Sequence, residues 1–222
     1  MEKELTYKEI RKNKEINTLL ERGNEVLGSL GYTDHSAAHA AKVADTAGKI
    51  LEKLGYSGRE AELSRIAGYM HDIGNSVNRC DHAHTGAVLG WQILRELGMP
   101  LKETAVIMSA VGNHDEKTGT AVDPISAALI LADKTDVRRN RVRNKVKASF
   151  DAHDRVNYAV LSSSLVIQKE KKVIQMELEL DDSMCSVMDY FEIFLERMLM
   201  CRRAAEVLGC RFKLTANGSK LC

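Results

Sequence analysis

Histidine and aspartate are the residues of this chain whose types and spacing could support chemistry. Six of the seven histidines lie between His35 and His114, most of them beside an acidic residue or a glycine. Imidazole and carboxylate together bind Mn, Fe, Zn or Ni, whereas structural zinc sites usually contain cysteine. The sequence therefore predicts a divalent-metal site in the first half of the chain.

Several predicted helices would carry these side chains into a common core. Residues 1–159 show helical periodicity, and His39, His114 and Asp133 each continue the apolar stripe of a predicted helix. The pair His71-Asp72 ends another helix, where consecutive side chains can diverge enough to reach one ion. A buried aspartate is costly unless it is paired or bound to metal. Packing alone therefore does not explain this pattern.

The order of these residues resembles that of the HD superfamily of metal-dependent phosphohydrolases. The matching segments are His39-x-x-x-Val43-Ala44, His71-Asp72-Ile73-Gly74 and Ala132-Asp133, and the resemblance covers residues 32–143. It implies a helical HD core. It also implies that His39, His71, Asp72 and Asp133 bind a first metal ion.

A second resemblance is to the two-metal members, including those of the HD-GYP type. His84-Thr85-Gly86-Ala87 and Asn113-His114-Asp115 are similar to their additional segments. The resemblance implies that His84 and His114 bind a second ion, that Asp72 bridges both, and that His35 is an extra ligand. Asn75 replaces a lysine common in that subset and no Gly-Tyr-Pro triplet follows, which argues against cyclic-di-GMP as substrate. We expect His82 to lie in a solvated loop.

A run of basic residues follows Asp133. We interpret it as the continuation of the helix that begins at Pro124, with Lys134, Arg138 and Arg141 on successive turns. These three residues are predicted to bind substrate phosphate, and Lys134 to act beside Asp72 in catalysis. Arg138 and Arg141 could instead hold acidic partners across a dimer interface.

The sequence period changes near residue 160. Residues 165–180 alternate as in a hairpin, residues 183–208 form an amphipathic pattern, and residues 211–215 are typical of a further strand. We predict a mainly α fold with two parts: a helical HD domain at 1–159, and a small antiparallel β-β-α-β appendix at 160–222. Strand edges and apolar surface on the appendix favour a homodimer.

The composition is that of an ordinary globular protein, with 44% hydrophobic and 28% charged residues and a net charge of +1. It does not favour a globally basic nucleic-acid binder. The apolar stretch 124–132 is shorter than the roughly 20 residues of a membrane helix, and the amino terminus lacks a signal-peptide pattern. We expect a cytoplasmic protein with no membrane partner. Its five scattered cysteines are expected to be reduced thiols.

The leading functional hypothesis is a metal-dependent phosphohydrolase in which metal-bound hydroxide attacks a phosphate ester. The resemblance implies a small phosphorylated substrate, such as a nucleotide, a phosphomonoester or a cyclic nucleotide, and nucleic acid is less favoured. One alternative is a diiron oxygenase, because that branch of the superfamily uses four histidines and two aspartates. Another is a non-catalytic module for nucleotide or RNA binding and assembly.

Overall fold

Helices form the first two thirds of the chain, as the sequence periodicity predicts. The computed structural model describes residues 3–221. Its α-helices are α1 (Tyr7–Ile10), α2 (Lys14–Ser29), α3 (Ala37–Leu54), α4 (Gly58–Met70), α5 (His82–Glu96), α6 (Leu101–Gly112), α7 (Pro124–Lys134), α8 (Ala152–Ala159) and α9 (Val187–Val207). Helix α7 begins as predicted, with the Asp123 side chain capping it and Pro124 at its first position.

The basic segment after α7 is not a helix, so the predicted alignment of Arg138 and Arg141 on successive helical turns is wrong. Helix α7 ends at Lys134, and irregular chain with 3₁₀ turns at Arg139–Arg141 and Lys147–Ser149 follows. Tertiary contacts replace the helix here. Arg141 donates to the Asp34 carbonyl oxygen, and Arg143 donates to that of Tyr32.

The chain ends in a small mixed sheet. Its strands are β1 (Val160–Gln168), β2 (Val173–Leu180), β3 (Arg211–Ala216) and β4 (Ser219–Lys220), in that spatial order. The β1–β2 and β3–β4 pairs are antiparallel, but β2 and β3 are parallel. The expectation of an entirely antiparallel sheet is therefore wrong for β3. Helix α9 is a crossover connection, which brings the chain back to the end of the sheet where β2 starts.

One hydrophobic core extends through both parts of the described chain. Helix α7 is its centre, with every residue from Ile125 to Ala132 buried, and it packs against α3, α4, α6 and α9. Phe194 and Met198 of α9 and Met176 of β2 belong to the same cluster. The division of the chain at residue 160 remains a prediction, since no separate core marks it.

Across residues 3–221, no helix has the length and hydropathy needed to cross a bilayer. Within the same residues, Cys80, Cys185, Cys201 and Cys210 are free thiols, in agreement with the expectation. Cys222 lies outside the described residues.

Candidate metal centre

Histidines and aspartates from five helices converge in the helical core. His39 lies in the first turn of α3, and His71 and Asp72 directly follow α4. His82 begins α5, His114 follows α6, and Asp133 is the penultimate residue of α7. All of these side chains except Asp133 are at most 4% exposed, so they form a buried cluster.

Four of these residues form a first group around a common point. His39 Nε2 lies 3.4 Å from Asp133 Oδ1, and His71 Nε2 lies 3.1 Å from Asp72 Oδ2. His71 Nε2 is also 3.7 Å from Asp133 Oδ1. His39 Nε2, His71 Nε2 and Asp72 Oδ2 are buried and have no hydrogen-bond partner among residues 3–221. Three such atoms facing one another are costly unless a cation binds between them, so the group fits a divalent metal ion.

The outer nitrogen of each imidazole is held by an oxygen acceptor. The contacts are His39 Nδ1 to Asp136 Oδ2 at 2.8 Å, His71 Nδ1 to Gly68 O at 2.8 Å, His82 Nδ1 to Arg79 O at 3.1 Å and His114 Nδ1 to Val111 O at 2.6 Å. A carbonyl oxygen can only accept, so the hydrogen of the neutral ring sits on Nδ1. The Nε2 lone pairs therefore point inward, in the tautomer that binds metal.

A second group forms around the other oxygen of Asp72. Asp72 Oδ1 lies 3.8 Å from His82 Nε2 and 4.0 Å from His114 Nε2. The two Nε2 atoms are 3.2 Å apart. With both Nδ1 atoms carrying hydrogen, the two Nε2 lone pairs repel each other. Arg79 Nη1, 3.3 Å from His82 Nε2, relieves part of this repulsion, and a metal ion between the two rings would relieve the rest. Asp72 thus presents one oxygen to each group, so it would be the shared ligand if both groups held an ion.

His82, not His84, takes part in this second group. His82 is 3% exposed, so the expectation of a solvated loop residue is wrong. The structure does not bring His84 to the cluster, because its side chain is 57% exposed and faces Asp81. Residues two positions apart in an α-helix are rotated by roughly 200° about its axis. His82 and His84 therefore cannot face the same side of α5. Gly86 and Gly90, one and two turns after His82, mark the close-packed face of α5 and are the signal that identifies His82.

His35 lies beside the first group. Its ring packs edge-on against His39 with 5.5 Å between centroids, and its Nδ1 is 2.8 Å from the Thr33 carbonyl oxygen. Burial keeps the pKa of His35 well below its usual value. Its predicted role as an extra ligand is not supported by a short contact to either carboxylate of the first group.

The pKa shifts of Asp72, Asp133, His82 and His114 favour the forms that bind metal, whereas the pKa of His71 is raised by the neighbouring carboxylates although burial alone would lower it. Burial alone favours the neutral acid, but the His71 imidazole holds the pKa of Asp72 well below its usual range. Burial would also raise the pKa of Asp133, but the neighbouring Lys134 ammonium keeps it well below its usual range. Burial lowers the pKa of His82 and of His114, so both rings stay neutral. Ionised carboxylates and neutral imidazoles are the ligand forms of these side chains.

A chain of alternating charges leads away from Asp133. Lys134 Nζ lies 2.7 Å from Asp133 Oδ2 and 2.8 Å from Glu116 Oε2, and Glu116 Oε1 accepts from Arg197 Nη2 at 3.2 Å. Lys134 is only 5% exposed, and the two carboxylates raise its pKa although burial alone would lower it. No pattern in the sequence indicates a role for Arg197, which lies in the C-terminal part.

Arg138 and Arg141 surround Asp136. Arg138 Nε is 2.8 Å from Asp136 Oδ1, Arg141 Nη1 donates to the Asp136 carbonyl oxygen at 2.7 Å, and Lys42 Nζ is 2.8 Å from Asp136 Oδ1. Burial opposes ionisation, but His39 and these cations keep the pKa of Asp136 far below its usual range. Asp136 in turn orients His39, so both arginines support the first group of ligands from behind.

Comparison with known proteins agrees with this geometry. A family model described as the HD domain matches residues 37–156. Uncharacterized protein MJ1020 of Methanocaldococcus jannaschii is 32% identical over 202 residues, which are 80% of this chain and 77% of that protein. The ribonuclease Y proteins of Oceanobacillus iheyensis and Deinococcus radiodurans are 29% and 32% identical over 131 and 119 residues. Those matches cover 55% and 54% of this chain but only 24% and 19% of the ribonucleases.

Proposed function

Because this chain belongs to the HD-domain family, we propose that it is a metal-dependent phosphohydrolase that cleaves a small phosphate ester. The observation that carries the proposal is Asp72, whose two carboxylate oxygens face two separate groups of histidines. The substrate class is a nucleotide, a phosphomonoester or a cyclic nucleotide.

The residues that would hold the ions follow from the two groups. His39, His71, Asp72 and Asp133 would bind one ion, and Asp72, His82 and His114 would bind the other. A divalent ion supplies an activated water and neutralises developing charge on phosphate. The chain itself holds each Nε2 atom inward and excludes bulk water, since the cluster is buried.

Lys134 is the cation nearest to the cluster, and we propose that it contacts the substrate phosphate. The sequence predicts the same role for Arg138 and Arg141, and their contacts to Asp136 offer a second one, which is to orient His39. The two roles separate experimentally. Loss of a phosphate contact in Arg138→Ala raises KM with metal content constant, by a factor equivalent to about 1–3 kcal/mol. If Arg138 instead acts by holding Asp136, which orients His39, Arg138→Ala lowers the metal content of the protein before it changes KM.

The decisive experiment is metal analysis of protein purified without chelator, followed by a phosphate-release screen over nucleotides and phosphomonoesters. We expect one to two equivalents of Mn, Fe, Zn or Ni, and loss of both metal and turnover in Asp72→Ala. Full occupancy and undiminished phosphate release in Asp72→Ala would refute the proposed site. Bound iron with oxygen consumption and no phosphate release would favour the oxygenase alternative.

RNA is a second candidate substrate. Ribonuclease Y is among the similar proteins, and a groove of about 250 Å³ beside Asp136 is lined by Lys42, Lys49 and Lys53 of α3. Such lysines could bind the phosphates of a strand. Charge reversal at Lys49 and Lys53 would then reduce cleavage of an RNA oligonucleotide and leave hydrolysis of small esters unchanged. Equal effects on both substrates, or on neither, would remove RNA from consideration.

A further inference from the structure

Helix α9 contributes a partly buried cation to the surroundings of the metal centre. The segment that matches the HD-domain family ends at residue 156, whereas Arg197 lies at the middle of α9. Its Nη2 donates to Glu116, which pairs with Lys134, which pairs with Asp133. The C-terminal part of the chain is therefore connected to a proposed ligand by three consecutive contacts.

Arg197 is held in one orientation by its surroundings. Its side chain is 22% exposed and its guanidinium lies 4.5 Å from the centre of the Phe194 ring. Among residues 3–221, Glu116 is the only carboxylate within 4.0 Å of it. The stacking fixes the plane of the guanidinium, so that its Nη2 group points at Glu116 rather than at solvent.

Arg197 also completes the charge balance of this chain of contacts. Asp133 and Glu116 share the single ammonium of Lys134, so these three groups together carry one negative charge. Arg197 brings the sum to zero. Without it, Glu116 would draw Lys134 away from Asp133 and would present an unbalanced negative charge beside the cluster.

We propose that Arg197 is a positioning residue for the metal centre, acting on Asp133 through Glu116 and Lys134. Asp133 Oδ2 is held by Lys134 while its Oδ1 faces His39 and His71. Fixing one oxygen therefore aims the other. The C-terminal part of the chain completes the site without supplying a ligand. The inference rests on the metal-binding part of the proposed function and does not depend on the substrate.

The test is the affinity of the full-length protein for Mn²⁺ alone, measured by titration of chelator-treated protein. Partners behind a metal ligand typically change affinity by 10–100-fold. Arg197 is two contacts further away than such a partner, so we expect Arg197→Met to weaken binding by about 3- to 10-fold. Arg197→Lys keeps the charge and should recover part of the loss. Arg202→Met, on the exposed face of the same helix, is the matched control and should bind Mn²⁺ as the parent protein does.

A double-mutant cycle with Glu116→Gln identifies the route of the effect. If Arg197 acts through Glu116, Arg197→Met should cost little further affinity in the Glu116→Gln background. Additive losses, or an Arg197→Met protein that matches Arg202→Met, would overturn the proposal. Melting temperatures of the metal-free variants identify any that fail to fold. If Arg197→Met does not fold, the Mn²⁺ affinity of Arg197→Lys is compared with that of the parent protein and of Arg202→Met instead. Mn²⁺ affinity is measured without turnover, so a protein that cleaves no phosphate ester can still confirm or refute this role.

Discussion

Two histidines separated by one residue have opposite environments at the start of α5. His82 faces His114 and Asp72 in the core, whereas His84 faces solvent. We predict that His82→Ala loses one of two metal equivalents and retains the other, because only the second group contains His82. His84→Ala is the matched control, and metal analysis of both variants should show full occupancy for the latter. If His84→Ala lost one metal equivalent and His82→Ala kept both, the second ligand would be His84, as the sequence predicts.

The first group is predictable from sequence because its order, His39, His71-Asp72, Asp133, matches a family pattern on apolar helix faces. The family pattern alone does not select His82, because His84 also begins a helix pattern. Only the spacing of Gly86 and Gly90 from His82 indicates which of the two faces the core. Glu116 and Arg197 are charged residues with no local signal. Their burial depends on α9 folding back onto α7, which no spacing in the chain indicates.

Buried neutral imidazoles predict the pH dependence of the metal-free protein. Burial lowers the pKa of His35, His82 and His114. Their contribution to stability is therefore present above the unfolded value of about 6.5 and is lost as pH falls. His71, with a raised pKa, contributes in the opposite sense. Three groups outweigh one, so the free energy of unfolding should decrease from pH 7 to pH 5.

Urea denaturation of chelator-treated protein across this pH range is the measurement. Each such imidazole contributes a slope of up to about 1.4 kcal/mol per pH unit. The exposed His153 supplies the control, since His153→Gln should leave the profile unchanged. A stability that is constant between pH 5 and 7 would contradict the buried neutral assignment.

At the scale of elements, the close approach of two backbones places Asp72 opposite His82. The 3₁₀ turn at Ile73–Ser76 packs on the start of α5, and a Cβ atom at Gly74 would overlap the backbone of His82 and Gly86. We predict that Gly74→Ala destabilises the protein by about 1–3 kcal/mol or more. It should also weaken metal binding, because α5 must move away from Asp72.

Gly58→Ala is the control for this prediction. Gly58 is the first residue of α4, and a Cβ atom added to it would meet no heavy atom within 4 Å beyond its chain neighbours and the backbone of its own helix. Alanine at this position should therefore be neutral or stabilising by up to about 1 kcal/mol. Thermal denaturation and Mn²⁺ titration of both variants provide the comparison. Equal behaviour of the two would show that the Gly74 contact does not set the position of α5.

The bounds of helices and strands are predictable from sequence where local patterns determine them. They are not predictable where contacts between distant segments determine them. The Asp123-Pro124 start of α7 follows from capping chemistry and is present. The end of α7 at Lys134 does not follow from propensity, because the arginines beyond it bind the carbonyl oxygens of distant loops. The parallel β2–β3 pair has the same origin, since it depends on where α9 packs.

At the scale of the whole molecule, the β1 edge of the sheet is long and pairs with no other strand in the described part of the chain. Strand β1 spans nine residues at the edge of the sheet, and its Leu161 side chain is 49% exposed. A long edge with exposed apolar residues invites pairing with another chain. The predicted homodimer therefore has a candidate interface, in which β1 of two copies lie side by side about a twofold axis.

Light scattering of the full-length protein should give twice the chain mass of 24.7 kDa. Leu161→Lys places a charge on the edge strand and should shift the protein towards monomer, because burying an unpaired ammonium is costly. Val88→Lys is the matched control: Val88 is 67% exposed on α5, away from the sheet, and its substitution should leave the mass unchanged. Monomeric parent protein would exclude the homodimer, and a dimer unaffected by Leu161→Lys would place the interface elsewhere. Metal content should stay the same in both variants, because every proposed ligand lies in the helical core of one chain.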